Sequence, residues 1–284
     1  MLERHEYKGL WWLPSDEETK LSGTLTVTRG EAELELLHHF GHKLVSEGKK
    51  QKAFSFSLEE RPRIVGMTTT GDAITLEGGG LASPTLHSPG IATSTYRPPW
   101  VLVGRAFAEG EEIGFDEIAV QMSDLDTWSF VSGFSRPHIA PGEPEAGLKG
   151  LFDIQFERPP AIEIPLDDGE YAQIEFAPGH SGWGAVTTSI TVSQTAWLRL
   201  RFAQRHSLNH VAKRVGQLRN FLCLAVGRPV AVLSVTGFDG SYRRDSDRPI
   251  PIQLLWGIPH NPEQPTQELV RPGFRAGLFS WFLL

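Results

Sequence analysis

A chain of 284 residues with 40% hydrophobic and 10% aromatic side chains can bury a full core, which excludes a disordered polymer and a small stapled scaffold. Its 29 Gly and 20 Pro favour many short strands and turns over long helices. The net charge of −7 argues against a chain that coats nucleic acid throughout, and the single cysteine, Cys223, excludes an internal disulfide framework and a multi-Cys zinc site.

In chain order, Thr24 to Val27 and the alternating Ala32, Leu34 and Leu36 flank a turn at Arg29-Gly30, with Glu31, Glu33 and Glu35 in water. Ile64 to Thr68 and Ala73 to Leu76 flank Thr70-Gly71-Asp72, a second hairpin. Trp100 to Phe107, Ile113 to Met122 and Trp128 to Phe134 read as strands, the last two split by a turn at Ser123-Asp124-Leu125-Asp126. The proline-rich run from Arg136 to Pro144 reads as a connector. Strands resume at Leu151 to Phe156, Ile162 to Leu166, Tyr171 to Phe176 and Val186 to Phe202. One helix follows: Leu208, Val211, Val215, Leu218, Leu222 and Ala225 form an apolar stripe, Ser207 reads as its N-cap, and Gly227 and Pro229 close it. Val230 to Val235 and Ile250 to Ile258 return to strand character. The expected fold is mainly β: two β-rich lobes, sandwich or jelly-roll-like, over residues 1–137 and 146–284, with one long amphipathic helix near 207–226.

No run approaches the ~18 apolar residues of a membrane span, and the N-terminus lacks an apolar signal core, so a soluble, cytoplasmic protein without membrane contact is expected. The motifs that could carry chemistry are incomplete. Gly179-His180-Ser181-Gly182-Trp183-Gly184 resembles a nucleophile elbow but has Trp183 where a small residue is needed. His38-His39-Phe40-Gly41-His42 places imidazoles close in sequence, yet neighbours on a strand face opposite sides, so at most two converge. Arg201 and His206 fit the spacing Arg-x4-His and raise the alternative of a small nuclease. Trp11-Trp12 raises a second alternative, a carbohydrate-binding module that stacks on sugar rings. No catalytic residue, metal or cofactor is assigned.

Charge is uneven. Residues 199–248 carry ten Arg or Lys against three Asp, on an otherwise acidic body. Arg199 and Arg201 share one strand face, and His210 and Arg214, with Lys213 between them, lie on the first turns of the helix. These five residues form a candidate binding face for an acidic partner or nucleic acid.

An ordered series runs through the whole chain: Tyr7-Lys8-Gly9-Leu10-Trp11-Trp12-Leu13-Pro14, Ser22-Gly23-Thr24-Leu25, Ile64-Val65-Gly66 and Thr70-Gly71-Asp72-Ala73-Ile74-Thr75-Leu76. It continues with Pro89-Gly90-Ile91-Ala92-Thr93-Ser94-Thr95-Tyr96, Val101-Leu102-Val103-Gly104, Phe115-Asp116-Glu117-Ile118, Ser123-Asp124-Leu125-Asp126-Thr127-Trp128 and Gly133-Phe134. It ends with Arg219-Asn220-Phe221-Leu222-Cys223-Leu224-Ala225-Val226-Gly227-Arg228-Pro229-Val230. Together these resemble the ApeA N-terminal domain, the β-rich module that precedes a HEPN domain in bacterial anti-phage proteins of the abortive-infection type. The resemblance implies a sensing or regulatory part whose partners are a HEPN ribonuclease domain, in cis or in trans, and a phage-derived trigger. The catalytic Arg-x4-6-His of that family belongs to the HEPN helices, expected beyond this chain, so Arg201 and His206 do not inherit it.

Overall fold

The computed structural model describes residues 4–28, 31–38, 40, 43–45, 53–55, 63–85, 93–135, 155–166, 169–181, 191–243 and 249–256. They form two compact units, each drawn from distant stretches of chain: residues 4–115, 206–212 and 234–256 in the first, 116–205 and 213–233 in the second. The expected connector over 136–144 and the apolar stretch 278–284 lie outside the described residues.

The first unit contains β1 (His5–Leu13), β2 (Asp16–Thr28), β3 (Glu31–Leu37), β4 (Lys43–Val45), β5 (Ala53–Ser55), β6 (Ile64–Thr68), β7 (Ala73–Glu77), β8 (Gly80–Thr85), β9 (Thr93–Arg97) and β10 (Trp100–Val103). Most of β17 (Val232–Arg243) and β18 (Pro249–Trp256) join them. The strands run β17-β18-β10-β7-β6-β1-β2-β3-β9-β8, with β4 and β5 paired separately. Alternation explains the layer. Ala32, Leu34 and Leu36 of β3 are buried, whereas Glu31 and Glu35 face water. On β1, Trp11 is fully buried, and Lys8 and Leu10 face out. Trp11, Leu25, Leu34, Leu36, Ile64, Ile74, Leu76, Tyr96 and Val101 share one core.

The second unit contains most of β11 (Gly114–Met122), α1 (Leu125–Ser129), β12 (Phe134–Ser135), β13 (Gln155–Phe156), β14 (Ile162–Pro165), β15 (Tyr171–Ser181), β16 (Thr191–Ser207) and the greater part of α2 (Leu208–Val226). Its strands run β14-β15-β16-β11. Ala172, Ile174 and Phe176 of β15 and Ala196, Leu198 and Leu200 of β16 alternate inward. The stripe expected on α2 is buried at Leu208, Val211, Val215, Leu218 and Leu222. Gly227 ends the helix at φ +70°, its N–H donating to the Cys223 carbonyl, as a left-handed cap does.

Both expected hairpins are present, and the fold is mainly β with one long helix. The segment after β11 differs. Trp128 was expected in a strand and Leu125 in a turn, but both lie on α1. The three-residue spacing puts both on one buried helical side, where the Trp128 ring meets Phe221 edge-on at 5.6 Å. The strand expected to reach Phe107 stops at Val103, because Gly104 takes φ +121° and donates its N–H back to Ala73.

Tyr96 carries a pH dependence. It is 1% exposed, and its hydroxyl donates to the Gly78 carbonyl. Burial, helped by the nearby Glu77, holds its pKa above the ordinary value of 10.0. The folded state therefore keeps this proton more tightly than the unfolded chain. That contribution is complete below pH 10 and is lost as pH rises through the folded value. Alkaline thermal melts of Tyr96→Phe should fall less steeply with pH than those of the parent, from a starting stability lower by about 1 kcal/mol for the lost hydrogen bond.

Candidate functional site

The five basic residues of the candidate face resolve differently. In the second unit, Arg199 and Arg201 point to one side of β16 and share one carboxylate. Arg199 bonds one Glu117 oxygen through Nη1, and Arg201 Nε reaches the other at 2.7 Å. Arg199 Nε also lies 3.3 Å from Glu175, which β15 supplies from the neighbouring strand. Desolvation works to lower the Arg199 pKa, but the hydrogen bond and charge of Glu117, with Glu175 behind it, leave it above the ordinary guanidinium value, so it stays a cation. Arg214 Nη2 lies 3.3 Å from Glu170. Lys213 is exposed. In the first unit, His210 is half-buried and its ring stacks on His206, centroids 3.8 Å apart and planes within 7°.

The sequence does not mark Glu117, Glu170 or Glu175 as partners of these arginines; Glu117 stands there only within the series Phe115-Asp116-Glu117-Ile118. The signal that could have found Glu175 is the opposite-charge pairing of neighbouring strands once their register is known.

The other motifs fall apart on geometry. Gly179, His180 and Ser181 lie on β15, paired with Ser193, Val192 and Thr191 of β16. That is antiparallel ladder, not the strand-to-helix turn an elbow requires; residues 182–184 lie outside the described residues. Of the histidine run, His38 is exposed at φ +77°, and His39, Gly41 and His42 lie outside the described residues. Arg201 and His206 are five apart along β16, an odd separation that turns them to opposite faces. Trp11 is buried, and Trp12 is half-buried with the Lys20 ammonium 4.6 Å above its ring, where a sugar would stack.

Both units, with their strands, helices and interleaved order, fall within one family match. The ApeA N-terminal domain 1 profile matches residues 6–268. The chain belongs to that family. No curated protein and no solved structure matches it. The ApeA N-terminal domain is a module other than HEPN, and its family is associated with HEPN effector domains in anti-phage defence proteins. Among the described residues of this ApeA N-terminal domain, no helix is long and apolar enough to cross a membrane.

Proposed function

We propose that this chain is a non-catalytic sensor and regulatory module of an abortive-infection defence protein. It holds a HEPN ribonuclease, in cis or in trans, in an inactive state until a phage-derived trigger binds. The observation that carries this reading is the family match across 6–268, which takes in nearly every residue of the chain. The side-chain geometry supports it. Arg199, Arg201 and Arg214 are held by Glu117, Glu175 and Glu170, so their charge fixes strands and helix in place. An acidic partner or nucleic acid would have to displace those carboxylates, and the exposed Lys213 is where such contact would begin.

Such a module can regulate only by binding its trigger and its effector with unequal affinity in two states. To move an effector from about 1:99 to about 99:1 active, the trigger must prefer one state by about 10⁴-fold.

The nuclease alternative is tested with the chain alone. Purified chain is expected to leave RNA intact, and Arg201→Ala and His206→Ala are expected to change nothing. Cleavage that disappears with His206→Ala would make this chain itself the enzyme.

A further inference from the structure

The outward face of β1, β2, β3 and β6 carries an apolar row that the regulatory reading does not use. Strand register places Lys8 beside Thr24, and Thr24 beside Glu35. In the next row Leu10 pairs with Met67 on one side and Ser22 on the other. Leu37 follows Leu36, the partner of Gly23, and so extends that row onto β3. Leu10 and Leu37 are 46% exposed and Met67 44%. The short Ser22 and Thr24 between them leave an open groove of about 610 Å³. Scattered exposed leucines need no explanation, but apolar side chains gathered along one groove and rimmed by charge suit an interaction surface.

We propose that this face is a homodimer interface, in which two copies pack face to face about a twofold axis running along β2. Such an axis lies midway between the two sheets, parallel to both, and exchanges the β1 and β3 positions of the two copies. Lys8 then meets the partner's Glu35, and Leu10 meets the partner's Leu37, each contact occurring twice. The small side chains of β2 lie on the axis, where they let two sheets approach to the ~10 Å spacing of packed sheets. The strands of the two copies stay nearly aligned, as they do in a β-sandwich. Lys20, also on β2, is drawn toward β1 by its contact with the Trp12 ring, away from its own symmetry mate.

The rim charges select the occupant. One cation and one anion stand on opposite sides of the same groove, and in the next row of that face Glu6 and Glu33 are each paired with an arginine of their own copy, Arg4 and Arg97. An acidic partner would leave Glu35 opposed, and a basic partner would leave Lys8 opposed. A second copy satisfies both.

Sedimentation of the full chain at tens of micromolar tests this. The wild type should run at twice the 31.5 kDa of one chain. Lys8→Glu and Glu35→Lys should each weaken self-association by at least about tenfold, because each sets like charges against one another. The double swap Lys8→Glu/Glu35→Lys should restore the dimer, and Leu10→Asp should give monomer. All three side chains point away from the core, so circular dichroism and melting should match the wild type. A monomeric wild type, a double swap as monomeric as the single variants, or a dimer that none of these changes disturbs would overturn the proposal.

Discussion

Asp239→Ala is expected to cost about 3–5 kcal/mol of folding stability, because it leaves a buried guanidinium without its main counter-charge. Asp239 is fully buried, and its Oδ2 lies 2.6 Å from Arg105 Nη1. Its other oxygen accepts the backbone N–H of Ser241 at 2.9 Å and the Ser241 hydroxyl at 2.5 Å. Arg105, only 14% exposed, reaches Glu111 with its second amino group at 2.5 Å and lies over the Phe107 ring at 4.4 Å. One carboxylate thus ties β17 to the 105–111 segment. Asp239→Asn keeps an oxygen for Ser241 but loses the charge, so it should fall between the wild type and Asp239→Ala. The double variant Arg105→Met/Asp239→Leu should cost less than Asp239→Ala alone, since an apolar pair leaves no stranded charge. Urea unfolding reads all three as shifts of midpoint at constant slope. A loss under about 1 kcal/mol for Asp239→Ala, no more than an ordinary neutral hydrogen bond, would show that this network does not fix β17.

Gly66→Ala is the second large effect, expected at about 2–3 kcal/mol from overpacking. Gly66 sits directly opposite Trp11 across β6 and β1. A Cβ there would lie 2.3 Å from the indole Cε3, well inside van der Waals contact. Trp11 cannot yield: it is fully buried, and its indole N–H donates to the Gly23 carbonyl at 3.2 Å. The indole therefore lies between two glycine positions, Gly23 of β2 and Gly66 of β6, and both must lack a side chain. If so, Trp11→Phe/Gly66→Ala should cost less than the sum of its single changes, the coupling expected for groups in contact. Gly216→Ala is the control: a Cβ on that α2 residue meets nothing within 4 Å, and the change should stabilise the helix by about 0.5–1 kcal/mol.

Much of the β architecture was legible because alternation is a direct consequence of strand geometry. Ala32, Leu34 and Leu36 against Glu31, Glu33 and Glu35 declare a face without any knowledge of neighbours. The helix was legible for the same reason at a different period, with Leu208, Val211, Val215, Leu218 and Leu222 all buried. The stretch around Trp128 misled because aromatic and β-branched residues favour strands, while the Leu125–Trp128 spacing that sets α1 is too short to stand out. The carboxylates of the arginine face were illegible for a different reason. Glu117 lies 82 residues from Arg199, and Glu170 lies 44 from Arg214, so only the fold brings them together. The basic excess of residues 199–248 was read as a face, but a charge count along the chain cannot see the acids folded against it. The groove beside Leu10 escaped notice because its row crosses four strands and exists only once their register is set.

The regulatory account meets its most direct test in RNA cleavage by the HEPN-bearing defence protein that carries this module, measured in cells before and after phage infection. The account predicts that an intact module keeps RNA whole until infection, and that a module destabilised by Asp239→Ala uncouples cleavage from infection. Cleavage that follows infection identically with the intact and the destabilised module would contradict it.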